Sequence, residues 1–511
     1  MQILAEVGMA VPPEYKGEID MKYESTRGSK AYKNAPQAII RGIAEDKGLY
    51  VPAQIPALNA SLEELAELTY QEIAYKVIGA FFDDFTAEEL KACIDGAYDS
   101  KFEAEEIVPI VEAGGAHFLE LYHGKTAAFK DMALSILPYL MTTSLKKEGV
   151  TDKICILTAT SGDTGKAALE GFAGVEGTEI VVFYPYGAVS QVQERQMTSQ
   201  EGENTHVFAI KGNFDNAQTG VKQIFNDDAF AAKLAERNIR LSSANSINIG
   251  RLVPQVAYYV YGYVKLLQRG VVKAGEKVNI VVPTGNFGNI LAAYLAAEMG
   301  IPVNKFLCAS NENKVLTDFI NTGVYDIRRD FFVTNSPSMD ILISSNLERL
   351  LYLLSGRDGE AVKGWMGQLD SEKIYEVSDA VKEGMKCFHG GYCSEEETEA
   401  AVGEMYRQHN YLMDTHTAVA YKVYQDYVTA TGDETPTLIA STASPYKFAE
   451  SVSRAIGLEE AEDGFAAVRK LNEKTGVYVQ KGLKDLDQKP VLHTGVCEVG
   501  AQAEAVLEAL K

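Results

Sequence analysis

A chain of 511 residues, 46% apolar and 23% charged, is long enough for several domains, and its composition excludes disordered and collagen-like polymers. Its net charge of −23 sets the average surface against nucleic acid and anionic membrane, so an anionic ligand must be captured by a local cluster of donors. Six scattered cysteines suit a reducing compartment, and no apolar run reaches the ~18 residues of a membrane span, which together predict a cytoplasmic protein.

The opening MQILAEVGMAVPP lacks the basic start of a secretory signal. Next, AIIRGIAEDKGLYVPAQIP reads as a helix ending in a Gly–Pro loop. SLEELAELTYQEIAYKVIGAFF and FTAEELKACIDGAYD carry helical spacing with Ser61 and Thr86 as N-caps. From about residue 105, short apolar runs (ICILTA, EIVVFYP, THVFAI, VNIVVPT, NKFLCAS, PTLIAST) alternate with helical stretches such as NAQTGVKQIFNDDAFAAKLAER and NILAAYLAAEMG. That alternation predicts βαβ units on mostly parallel sheets, with ligands beyond the carboxyl ends of the strands. The stretch 340–430 reads as mostly helical, and the last clear strand is 437–441.

Three strand ends run into unusual loops. ICILTAT leads to Ser161-Gly162-Asp163-Thr164-Gly165 and a helix; NIVVPT leads to Gly285-Asn286-Phe287-Gly288-Asn289 and a helix; TLIAST leads to Ala443-Ser444-Pro445. The first two either cradle an anion on backbone N–H groups or merely shape tight turns; their pairing favours a phosphate-bearing ligand. Ala167 after Gly165-Lys166 excludes a magnesium-holding P-loop, and neither loop matches GxGxxG. In HGKTAAFKDMALSILPYL, Lys130 follows an apolar run and opens a helix; it reads as a surface lysine or as an amine nucleophile made reactive by apolar surroundings. Asp131 reads as an ordinary first-turn acid. Ser243-Ala244-Asn245-Ser246-Ile247-Asn248 with Arg251 reads as an oxyanion site or a plain helix cap.

Together these segments resemble the threonine synthases, pyridoxal-phosphate enzymes of the fold that includes the tryptophan synthase β subunit. HGKTAAFKDMAL, ATSGDTG, SANSIN with its Arg, GNFGN and STASPYKF stand in family order, and KYESTRG and GLYVP resemble the family's N-terminal domain; the likeness covers about residues 21–455. The resemblance implies a tryptophan synthase β-like (fold type II) α/β protein: a mainly helical N-terminal domain (1–105), a smaller α/β domain with the lysine and SGDTG loop (106–250) and a larger one with the GNFGN loop (251–511), the cofactor lying between the last two. It implies pyridoxal 5'-phosphate held by Lys130, its phosphate by Gly285, Asn286, Phe287, Gly288 and Asn289, and its ring nitrogen by Thr442. Ser161 and Thr164 would meet the substrate's carboxylate and phosphate; Asn245, Ser246 and Arg251 would hold the substrate phosphate. The implied reaction is a β,γ-replacement turning O-phospho-L-homoserine and water into L-threonine and phosphate, the last step of threonine biosynthesis, with Lys130 moving protons.

Two positions depart from many relatives. Asp163 stands where Asn would contact the ring oxygen, so either that oxygen keeps a proton or Asp163 points elsewhere. Thr415 stands where Pro is frequent, and His416 beside it has a structural reading as good as a functional one. The rivals are a phospho-lyase or dehydratase of the same fold and a silent binding protein, which the intact Lys130 disfavours. Cys387, His389, Cys393 and His409 match no zinc spacing, so no metal is expected. A small-molecule enzyme, monomeric or homodimeric, follows. The first twenty residues are expected to lie outside the natural protein: Lys16-Gly17-Glu18 can be encoded as a bacterial ribosome-binding site just before Met21, the alternative being a flexible extension.

Overall fold

The computed structural model describes residues 21–511. Residues 1–20, on which the expected start at Met21 bears, lie outside the described residues. Tyr23–Ser25 and Tyr50–Pro52 form an antiparallel pair, followed by helices Leu62–Ala66, Tyr70–Phe81 and Ala87–Ala97. Ser61 and Thr86 cap their helices as predicted, each in a reciprocal capping box with the glutamate three residues on. Thr69 does the same with Glu72, which divides the first helical stretch in two. DMALSILPYL is likewise two helices, Asp131–Leu134 and Leu137–Lys147, because Pro138 has no N–H with which to continue the first.

Two sheets organise the remainder. The larger has the spatial order Phe388–Tyr392, Val303–Ser310, Val278–Pro283, Thr437–Ser441, Ala116–Glu120, Ile110–Ala113, parallel except for the last hairpin. The smaller is all parallel: Gly495–Cys497, Thr205–Ile210, Thr178–Pro185, Lys153–Ala159, Ile239–Ser242. The sheets cross the boundaries expected from sequence. The hairpin at 110–120 pairs with Thr437–Ser441, in register Leu119↔Ala440, and so belongs with the late strands. At the other end, Gly495 lies opposite Phe208, so the end of the chain completes the smaller sheet. Three residues at a sheet edge are too short to show periodicity, which is why 437–441 reads as the last strand. Among the described residues no helix is long and apolar enough to cross a membrane.

The N-terminal hairpin is fastened to the large unit by charge. Arg27 donates from Nε and Nη2 to the two carboxylate oxygens of Glu348 at 2.9 Å each, and Thr26 Oγ1 donates to the same carboxylate. The neighbouring Arg349, fully buried, donates to the Tyr50 carbonyl at 2.8 Å and to the carbonyls of Ser246 and Ile247, joining the hairpin to the 243–248 loop. Glu348→Ala removes the acceptor of three donors and leaves Arg27 without its carboxylate. Urea unfolding should show a loss of about 2–4 kcal/mol; a loss below about 0.5 kcal/mol would mean that water replaces the carboxylate at no cost.

Candidate active site

The segment carrying Lys130 is fixed to the end of Thr437–Ser441. Leu121 N–H donates to Ser441 O at 2.9 Å, Phe129 N–H to Thr442 O at 2.8 Å, and Ser444 N–H to Ala127 O at 3.0 Å. Ala127 is held at φ +59°, a left-handed conformation that costs energy in a residue with a Cβ. Asp131 compensates by accepting from Thr126 N–H at 2.8 Å and Thr126 Oγ1 at 2.5 Å. It is not an ordinary first-turn acid: burial pushes its carboxyl up to about 6, against the pull of the Thr126 hydrogen bonds.

This scaffold buries the Lys130 amine. Its Nζ lies 3.3 Å from Asp163 Oδ2, 3.3 Å from Ser338 Oγ and 4.7 Å from the centre of the Phe129 ring. Burial draws the ammonium pKa down; Asp163 opposes this, and the cations Arg251 and Lys447 reinforce it. Asp163 faces the reverse balance. Burial would raise its carboxyl, but Lys447 and then Lys130 hold it well below the usual carboxylate range. Its Oδ1 takes Lys447 Nζ at 2.9 Å and Gln193 Nε2 at 2.8 Å. Asp163 thus faces two lysines, one through each carboxylate oxygen.

Ser338 is set by a second buried pair. Its N–H donates to His416 Nε2 at 3.1 Å; a backbone N–H can only donate, so the imidazole proton sits on Nδ1 and goes to Asp414 Oδ1 at 2.9 Å. Asp414 also caps helix Thr415–Thr431, and Thr415 Oγ1 donates to Asn335 O at 2.6 Å. His416 thus contacts the backbone of the residue whose hydroxyl touches Lys130.

The two glycine loops differ. In the SGDTG loop Thr160 Oγ1 takes the N–H groups of Gly162 (3.0 Å) and Gly165 (2.9 Å), leaving fewer donors for a ligand than the sequence implies. Gly162 has φ +133°, and a Cβ there would meet Gln193 at 2.6 Å. The GNFGN loop keeps its donors. Helix Gly288–Glu298 is buried and starts after Phe287 at φ +64° with no side-chain cap, so its first N–H groups face the loop unpaired by the helix. A Cβ on Gly285 would lie 2.5 Å from Ser338 O, which brings this loop against the one that touches Lys130. Asn289 Oδ1 accepts from the Tyr258 and Tyr259 hydroxyls, while its buried Nδ2 has no partner among the described residues. A buried, uncapped helix start with an orphaned amide fits a phosphate group.

In the SANSIN loop, Asn248 caps helix Ile249–Leu252 and donates to the carbonyls of Ile39 and Ser243, so this residue is structural. Ser246 Oγ accepts from Asn346 Nδ2 at 2.9 Å. Arg251 is 5% exposed and donates to Ala244 O at 2.8 Å, a carbonyl and not a carboxylate; burial lowers its pKa to about 10. Lys130 and Asp163 therefore meet directly, Gly285 and Thr442 join them through Ser338 and the Phe129 backbone, and Arg251 reaches Lys130 through its charge. Ser161, Thr164 and Asn245 are half-buried, and none of these contacts includes their side chains. Sequence reasoning missed Ser338, which lies in a loop with no glycine signal, and Lys447, which stands inside STASPYKF without a spacing that marks it.

Known proteins sharpen this reading. The family model described as pyridoxal-phosphate dependent enzyme matches residues 112–441, more than half the chain, so the fold is that of a type II pyridoxal-phosphate enzyme. Models described as threonine synthase N terminus and threonine synthase, C-terminal, match 22–98 and 417–488. Threonine synthase of Pseudomonas aeruginosa is 38% identical over 440 residues, covering 85% of this chain and 90% of that protein. Threonine synthase-like 1 of Homo sapiens is 41% identical over 441 residues, 84% of this chain, which spans only 58% of that relative's length. The crystal structure of pyridoxal-phosphate-bound threonine synthase from Brucella melitensis has a TM-score of 0.84 at 35% identity, covering 96% of this chain and 99% of that one. The chain belongs to the threonine synthase family, whose cofactor is pyridoxal phosphate.

Proposed function

We propose that the protein is a threonine synthase, converting O-phospho-L-homoserine and water to L-threonine and phosphate. The observation that carries this is Arg251: a buried cation with a carbonyl partner, acting on the Lys130 amine, calls for an anion beside the reacting carbon chain. Pyridoxal phosphate, when bound, supplies the sink for electron pairs released beside the substrate's amino group. Lys130 would hold it, residues 285–289 would hold its phosphate, and Thr442 its ring nitrogen. Lys130 Nζ then serves as the base at Cα and Cβ, for which a buried amine of lowered pKa is suited. Asp163 and Ser338 keep that nitrogen in place at 3.3 Å whenever it is free. Arg251, with Asn245 and Ser246, binds the substrate phosphate and retains it after it leaves Cγ; Ser161 and Thr164 meet the substrate beside it. The two protons taken from Cα and Cβ are given back at Cα and Cγ, and water adds its hydroxyl at Cβ while its proton goes to the departed phosphate.

In this reading the 106–250 segment supplies Lys130, Asp163 and the SANSIN loop, and the 251–511 segment supplies Arg251, the phosphate loop and Thr442. The six cysteines are all unpaired, in keeping with a cytoplasmic setting. The test is the product ratio from O-phospho-L-homoserine: threonine in amounts equal to phosphate supports the reading, and 2-oxobutyrate as the main product replaces it with a phospho-lyase.

A further inference from the structure

Two buried lysines share one carboxylate in this site. Lys447 Nζ, with no exposed surface, lies 2.9 Å from Asp163 Oδ1, 2.8 Å from Thr126 O and 2.9 Å from Gln196 Oε1. Those are three acceptors for the three hydrogens of an ammonium. Lys130 Nζ has longer contacts, 3.3 Å each, to Asp163 Oδ2 and to Ser338, whose hydroxyl can donate as well as accept. If both lysines were charged beside Arg251, Asp163 would be the one carboxylate in contact with two buried ammonium groups, and Asp131 acts on Lys447 alone of the two.

We infer that Lys447 is a positioning residue, the permanent counter-ion of Asp163, which leaves Lys130 as the uncharged amine of the pair. The inference rests on the reading of Lys130 as the reactive lysine. Lys447 is well placed for the task. It lies in the turn Pro445–Phe448, next to Ser444, which is tied to Ala127 O through its N–H and to Gln480 Oε1 at 2.7 Å. Because Lys447 neutralises it, Asp163 stays an anion whether Lys130 is charged or not, and Lys130 can gain and lose a proton without a second proton having to move.

The surrounding charges do not supply another counter-ion. Arg251 repels a charge on Lys130. Asp131, from the helix after Lys130, is engaged by Thr126 and feels the charge of Lys447, not that of Lys130. Lys166 and Glu170, from the helix carrying Asp163, pair with each other at 3.0 Å, and His416 is paired with Asp414.

The test is competitive labelling of the full chain, freed of cofactor with hydroxylamine, by trace acetic anhydride, with Lys130 acetylation followed by mass spectrometry against pH. Lys447→Met removes the counter-ion, so Asp163 must draw the proton onto Lys130. The pH profile of Lys130 labelling should move up by about one unit, so that labelling at any pH below the wild-type midpoint slows about tenfold. Lys447→Gln keeps an amide donor for Thr126 O, covers the case in which Met does not fold, and should move the profile the same way; Asp163→Asn should move it down. An unchanged or lowered profile in a folded Lys447 variant overturns the proposal. The labelling reads the amine without cofactor or turnover, so borohydride mapping that places the cofactor on another lysine would overturn only the functional reading.

Discussion

Lys130→Ala should leave a folded protein with no borohydride-fixable cofactor and turnover reduced by more than about 10³-fold, since the proposed covalent anchor and proton-moving base disappear together. Folding should survive because Asp163 keeps Lys447 as its partner at 2.9 Å, so no buried carboxylate is stranded. Thermal unfolding of the cofactor-free chain is therefore expected within about 3 °C of the wild type, and removal of one of two neighbouring buried lysines favours a small rise. Peptide mapping of the wild type after borohydride should find the cofactor on the peptide containing Lys130. A fixed cofactor on any other lysine, or substantial turnover in the variant, would contradict the assignment.

Arg251→Ala should weaken the substrate's hold rather than the cofactor's. A charge-assisted contact to a phosphate is worth about 1.5–3 kcal/mol, so KM for O-phospho-L-homoserine should rise roughly ten- to hundredfold. Cofactor absorbance should persist, because the loop at 285–289, proposed for the cofactor phosphate, belongs to a separate helix start. A second effect has a definite sign. Arg251 is one of the cations that lower the Lys130 pKa, so without it Lys130 holds its proton more tightly and the acid limb of the rate profile should move to higher pH. Unchanged KM together with an unmoved pH profile would remove Arg251 from the site.

The central parallel strands were legible because they are buried on both faces and so read as short apolar runs: KICILTA at 153–159 and VNIVVP at 278–283 have almost no exposed position. The N-caps were legible because Ser61 and Thr86 act within their own next turn. What stayed hidden depends on long-range meetings. Ser338 reaches Lys130 across 208 residues and owes its orientation to His416, 78 residues further on, so no local pattern announces it. Asp131 looks like a helix-start acid because its position is one; only burial against Thr126 turns it into the brace of a strained turn. The hairpin at 110–120 and the strand at 495–497 take their places from partners far along the chain, which is why the sheets depart from the boundaries that the resemblance implied. Asp163 is the instructive case. Its chemistry as an acceptor could be reasoned from the residue type, but its two lysine partners lie 33 and 284 positions away and only the fold brings them together.

Replacement of phosphate by water at the neighbouring carbon can be followed by turnover of O-phospho-L-homoserine in water enriched in oxygen-18, with products read by mass spectrometry. Threonine should carry one heavy oxygen in its hydroxyl, and phosphate should be released with only its original oxygens, because the C–O bond at Cγ breaks and water enters at Cβ. Homoserine with heavy oxygen in the phosphate, or 2-oxobutyrate and ammonia in place of threonine, would contradict this replacement.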